Sequence, residues 1–169
     1  GFGASAEGGS FGFLRATASG GFVTEEASLA GAVGWQRATG IDSFNGQGDK
    51  DGYRNLSARL RGTWKPAAAV ELGVSAIALS GRTEFDGFDP FTFAHTDTLD
   101  SSRNGSELAI SGQNTETNVG WRGQVGGTLL GSSNRNFLAD DPTNRTKGTR
   151  SDADAQVERD ARRGHAVEN

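Results

Sequence analysis

Arg54–Lys65 reads RNLSARLRGTWK, and its alternation decides the fold. Leu56, Ala58, Leu60, Gly62 and Trp64 share one parity; Asn55, Ser57, Arg59, Arg61 and Thr63 share the other. Successive strand side chains point to opposite faces, so the stretch makes a ribbon with one oily and one wet side. Ala27–Gln36 repeats the pattern, setting Ala27, Leu29, Gly31, Val33 and Trp35 against Ser28, Ala30, Ala32, Gly34 and Gln36. Val119–Ser132 and Ala69–Gly81 alternate likewise, and Phe13–Ser19, Glu107–Gln113 and Thr149–Glu158 do so more weakly. The strong segments run about 10 to 14 residues against a mean strand of about 5–6. The expectation is an all-β, antiparallel up-and-down meander of long strands, roughly eight in number, forming part of the wall of an outer-membrane β-barrel.

Connections are expected to differ between the two ends of the strands. Ser19–Glu25, Lys65–Ala68 and Thr115–Asn118 read as short turns. Thr39–Tyr53, Phe85–Asn104 and Asn134–Gly148 read as long loops rich in Asp, Asn, Gly and Thr. Short turns on one side and long loops on the other suit such a barrel, with the long loops outside. Trp64 and Trp121 fall beside short turns and Trp35 beside a long loop, where aromatic girdles meet the membrane interfaces.

Composition agrees. Hydrophobic residues are 34% of the 169, with 26 Gly, 3 Pro, 10 Phe, 3 Trp, 1 Tyr and a net charge of −4. The apolar share is low, yet the aromatics and small net charge do not suit a disordered chain. Mild acidity gives no sign of nucleic-acid binding, which shows as a basic patch or stripe. Without Cys there is no disulfide frame, thiolate metal site or cysteine nucleophile. No run approaches the 18 apolar residues of a transmembrane helix, whereas a barrel strand needs only about 9–11 alternating ones. The chain opens on Gly1 with no signal-peptide pattern, and is expected to be a processed chain or an internal piece.

Several segments together resemble the early barrel region of TonB-dependent outer-membrane receptors: Ala6–Gly12 (AEGGSFG), Asp51–Arg61 (DGYRNLSARLR) with the strand after it, Thr83–Asp89 (TEFDGFD) and Asp97–Asn104 (DTLDSSRN). The resemblance covers nearly the whole chain and rests on the order of the set. It implies that residues 1–169 are roughly the first third of a barrel wall, in the bacterial outer membrane. The plug domain, the TonB-contacting segment and the C-terminal strand of complete receptors have no counterpart here. It also implies energy-coupled uptake of a large scarce nutrient, a siderophore, other metal chelate or cobalamin. The partners would be outer-membrane lipid, the receptor's own plug and remaining strands, TonB through that plug, and the small-molecule ligand. The alternative is a soluble or surface β-sheet binding module or adhesin, which needs the oily faces to pack on a second sheet.

No catalytic set is expected. His95 and His165 lie apart from any paired nucleophile, and triad, metal and phosphate signatures are missing. Candidate ligand-binding loop aromatics are Phe44, Tyr53, Phe85, Phe88, Phe91 and Phe93, since recognition sites join apolar contact to a few polar groups. Arg59, Arg61 and Arg122, with Arg15, are expected to face the lumen. Calcium wants six to eight oxygens, which loop carboxylates supply flexibly. The vitamin B12 receptors of the resembled family use such aspartates, which implies Asp42, Asp49, Asp51, Asp86 and Asp100 as calcium ligands. The charged tail Ser151–Asn169 begins as a strand would, and its cluster from Glu158 to Arg163 suits a periplasmic turn or a short solvated helix.

Overall fold

The computed structural model describes residues 1–42, 49–89, 91–107, 113–117 and 121–159, with backbone alone at 97–102, 104–107, 113–117 and 121. The described residues form one nine-stranded antiparallel sheet. Its strands are β1 (Phe2–Gly8), β2 (Leu14–Val23), β3 (Ala27–Ile41), β4 (Asp51–Ala67), β5 (Val70–Phe88), β6 (His95–Glu107), β7 (Gln113–Thr117), β8 (Trp121–Leu138) and β9 (Asp141–Arg159). Neighbours in sequence pair as neighbours in space from β1 to β6, and β8 pairs with β9.

The nine strands occupy eight lateral positions. β5 pairs with β6 through Leu79–Phe88 and with β7 through Val70–Leu72; β8 pairs with β7 through Trp121–Val125 and with β6 through Gly131–Leu138. β6 and β7 therefore share one slot between β5 and β8. Residues 108–112, most of the weak candidate Glu107–Gln113, lie outside the described residues. Among the described residues β1 pairs only with β2 and β9 only with β8, so the sheet is open.

Two expected long loops are corrected. Phe85–Asn104 holds the end of β5, a turn through Asp89 and residues 91–94, and most of β6, and Asn134–Gly148 holds the end of β8, a two-residue turn at Ala139–Asp140 and the start of β9. The strands are also longer than expected: β4 has 17 residues and β5 and β9 have 19 each. The physical reason is common to all three differences. Beyond the oily segment both faces are polar, so hydrophobic alternation stops, while backbone pairing with a neighbour of equal length continues. The expected length contrast between the two ends narrows accordingly. The connection between β3 and β4, residues 42–50, remains long, and β2–β3 and β4–β5 close through 24–26 and 68–69.

Register fixes the faces. Across β3 and β4, Trp35 pairs with Leu56, Val33 with Ala58, Gly31 with Leu60, Leu29 with Gly62 and Ala27 with Trp64. Those rows continue to Phe22, Gly20, Ala18 and Ala16 of β2 and to Leu72, Val74, Ala76 and Ala78 of β5. The opposite face carries Ser and Thr ladders: Ser28 Oγ and Thr63 Oγ1 lie 2.7 Å apart, as do Ser5 Oγ and Thr17 Oγ1.

Candidate functional site: the two faces of the sheet

The oily face has no cover. Among the described residues Phe137 is the one buried large hydrophobic, and Phe22, Leu29, Val33, Trp35, Leu56, Leu60, Trp64 and Val74 are all substantially exposed. Fully burying such a side chain is worth about 1.5–3 kcal/mol. Eight of them roughly half-exposed forgo on the order of 8 kcal/mol, as much as the whole stability of an ordinary domain, about 5–15 kcal/mol. A contiguous patch of this kind marks a surface made to be covered. The soluble alternative requires a second layer over this face, and among the described residues no second layer of this chain covers it.

The dimensions of the band are set by register. Eight residue steps separate Leu56, the partner of Trp35, from Trp64, about 27 Å along the strand at about 3.3–3.4 Å per residue. At the 35–45° tilt of membrane barrel strands this becomes about 20 Å along the normal, close to the roughly 25 Å apolar band of such barrels. Trp35 is not at its strand's end, because β3 continues to Ile41; it marks the edge of the oily band. Trp64 marks the other edge, near the 68–69 turn. Trp121 begins β8, and its side chain lies outside the described residues.

Arg59, Arg61, Arg122 and Arg15 share the polar parity of the sheet. Arg59 pairs with Ala32 and Ile77, and Arg61 with Ala30 and Ser75. Arg122 pairs with Glu158 across β8 and β9, with Nη1 3.9 Å from Oε2, and Arg15 Nη1 lies 4.0 Å from Glu7 Oε2. These are exposed pairs, worth about 0–1 kcal/mol each.

Three of the candidate aromatics, Phe88, Phe91 and Phe93, gather at one hairpin. Phe88 meets His95 edge to face with centroids 5.2 Å apart, and Phe91 and Phe93 sit on the following turn, 90% and 80% exposed. Asp89 holds that turn: its Oδ1 accepts from the Thr92 amide at 2.7 Å and the Phe91 amide at 2.9 Å. These two amides, Thr92 first, hold the carboxyl below its ordinary value. Phe85 lies within β5 rather than in a loop, and Tyr53 lies on β4 opposite Thr83. Phe44 lies outside the described residues. Phe91 and Phe93 project from the hairpin.

Asp42 and Asp49 flank 43–48, Asp51 pairs with Ile41 at the base of that connection, and Asp86 sits at an irregularity of β5. Asp100 pairs through its backbone with Phe85 and Leu138, and its side chain is outside the described residues. Among the described residues no cluster of three or more His, Cys, Asp or Glu suited to a metal is present.

One feature of the oily-face parity escaped the sequence reading: beyond Trp35 and Leu56 that face turns cationic, beginning with Arg37 and Arg54. Its signal was present in the spacing, since Arg37 lies two residues after Trp35 and Arg54 two before Leu56. Comparison with known proteins identifies no relative: no family model, no curated protein and no solved structure matches this chain.

Proposed function

We propose that this chain is wall of an outer-membrane β-barrel, its oily face on lipid and its polar face on an enclosed interior. The observation that carries this reading is the uncovered apolar band bounded by Trp35 and Trp64. A bilayer supplies the missing cover, and in lipid a barrel satisfies every backbone group. Antiparallel pairing of neighbours and the unpaired edges at β1 and β9 fit a segment that further strands complete.

Within that reading, the chain serves a receptor for energy-coupled uptake of a large scarce nutrient such as a siderophore, another metal chelate or cobalamin. This step rests on the resemblance of the quoted segments to TonB-dependent receptors. The exposed Phe91 and Phe93 at the β5–β6 tip supply apolar contact for such a ligand. Fractionating cells that produce the protein, with unboiled and boiled electrophoresis side by side, tests the reading. Outer-membrane recovery and heat-shifted migration are expected; recovery as a detergent-free soluble species would overturn it.

A further inference from the structure

Six arginines, one from each of six laterally successive strands, stand in an unbroken cross-strand row. Arg37 of β3 pairs with Arg54 of β4, Arg54 with Arg82 of β5, and Arg82 with Arg103 of β6; Arg103 pairs with Arg135 of β8, and Arg135 with Arg145 of β9. The row lies two residues beyond Trp35 and Leu56 on the oily-face parity. At about 4.7–4.9 Å per strand it spans about 24 Å. A groove along it is lined by Arg54, Arg82, Arg103, Arg135 and Arg145 together with Trp35.

Like charges directly opposite one another destabilise a strand pair, and here five such pairs follow in succession. Among the described residues the carboxylate set against the row is Glu84, whose Oε1 lies 3.2 Å from Arg82 Nε. Lys147, opposite Ser133 in the adjoining row, adds a further positive charge. Aromatic rings position three of the guanidiniums without neutralising them: Arg37 lies 5.8 Å from the Trp35 centroid, and Arg103 and Arg135 lie 4.2 Å and 5.9 Å from that of Phe137. A straight cationic row about 24 Å long suits an array of anions more than one small anion.

We propose that the arginine row binds the phosphate groups of lipid headgroups at the edge of the apolar band. Guanidinium forks match phosphate oxygens two at a time. An anion held here sits directly beyond the acyl-chain zone, where a headgroup belongs. The proposal rests on the barrel-wall reading, because only a lipid-facing surface brings headgroups to this row.

The test reconstitutes the full protein into phosphatidylcholine vesicles with and without a minor fraction of phosphatidic acid, scoring insertion by flotation and headgroup contact by energy transfer to labelled phosphatidic acid. Wild type should gather phosphatidic acid, and the preference should weaken as salt rises. The triple variant R54Q/R82Q/R145Q, which leaves the ring-bound arginines alone, should lose about tenfold of that preference while inserting normally. The corresponding Lys triple should keep part of it, and R59Q/R61Q on the other face should keep all of it. Insertion of wild type without a salt-sensitive preference, or equal preference in the Gln triple, overturns the headgroup proposal and leaves the wall reading standing. Complete displacement of phosphatidic acid by inorganic phosphate would mark a free-anion site and also overturn it. Failure of wild type to insert in any vesicle overturns the wall reading, and this proposal with it.

Discussion

Trp35 and Leu56 are direct cross-strand partners on β3 and β4, and they remain 39% and 48% exposed. In a water-soluble sheet such a pair would close a core. Here it borders an apolar band with nothing from the described chain above it.

Leu60 sits mid-band, between Gly31 and Ala76. Leu60→Lys should cost the lipid-folded protein about 2–4 kcal/mol, the penalty of a cation near the bilayer midplane. Gln124→Lys, on the polar face, should stay within about 0.5 kcal/mol. Urea unfolding of both variants in vesicles checks the contrast, and equal costs would argue against two different faces.

Gly40 has φ of +78° at the register shift between Ala38 and Ile41, and a side chain there would run into the Asp51 carbonyl. Gly40→Ala should therefore destabilise by at least about 1–2 kcal/mol, the left-handed penalty alone. Gly123→Ala, with open space around it, should be neutral. Unfolding midpoints of the two variants check this.

The Asp89 carboxyl is held below its ordinary 3.8 by the Thr92 and Phe91 amides. A depressed folded value means that the charge stabilises the turn above pH 3.8, and that this contribution fades as pH falls through the lowered folded value. The amide resonances of Phe91 and Thr92 should titrate with an apparent pKa under 3.8 and stop titrating in Asp89→Asn. Titration at or above 3.8 would contradict the turn geometry.

Arg122 and Glu158 are both about half exposed with 3.9 Å between the charged atoms. Glu158→Gln should change stability by less than about 1 kcal/mol. A larger loss in a denaturant titration would mean that this face is dry.

The sequence made the middle of the sheet legible because there the two faces differ in chemistry. β3, β4 and the first part of β5 show their parity through Leu29, Val33, Leu56, Leu60 and Val74, and the structure keeps every one of those assignments. It was silent where both faces are polar. β6, HTDTLDSSRNGSE, has one apolar residue and is held by pairing with β5 and β8, so its strand character depends on its partners. Asn134–Gly148, which reads as a long loop, is mostly strand for the same reason. The arginine row was hidden more deeply: its members are scattered along the chain, and only the register of five strand pairs brings them together.

The chain has no Cys, so single cysteines at Ser57, Ala58, Arg59 and Leu60 can carry an environment-sensitive label in the membrane-inserted protein. Quenching by brominated acyl chains should be strong at 58 and 60 and weak at 57 and 59, following the period of two. Four positions quenched alike, or 58 and 60 shielded from lipid and water together, would contradict a lipid-facing wall.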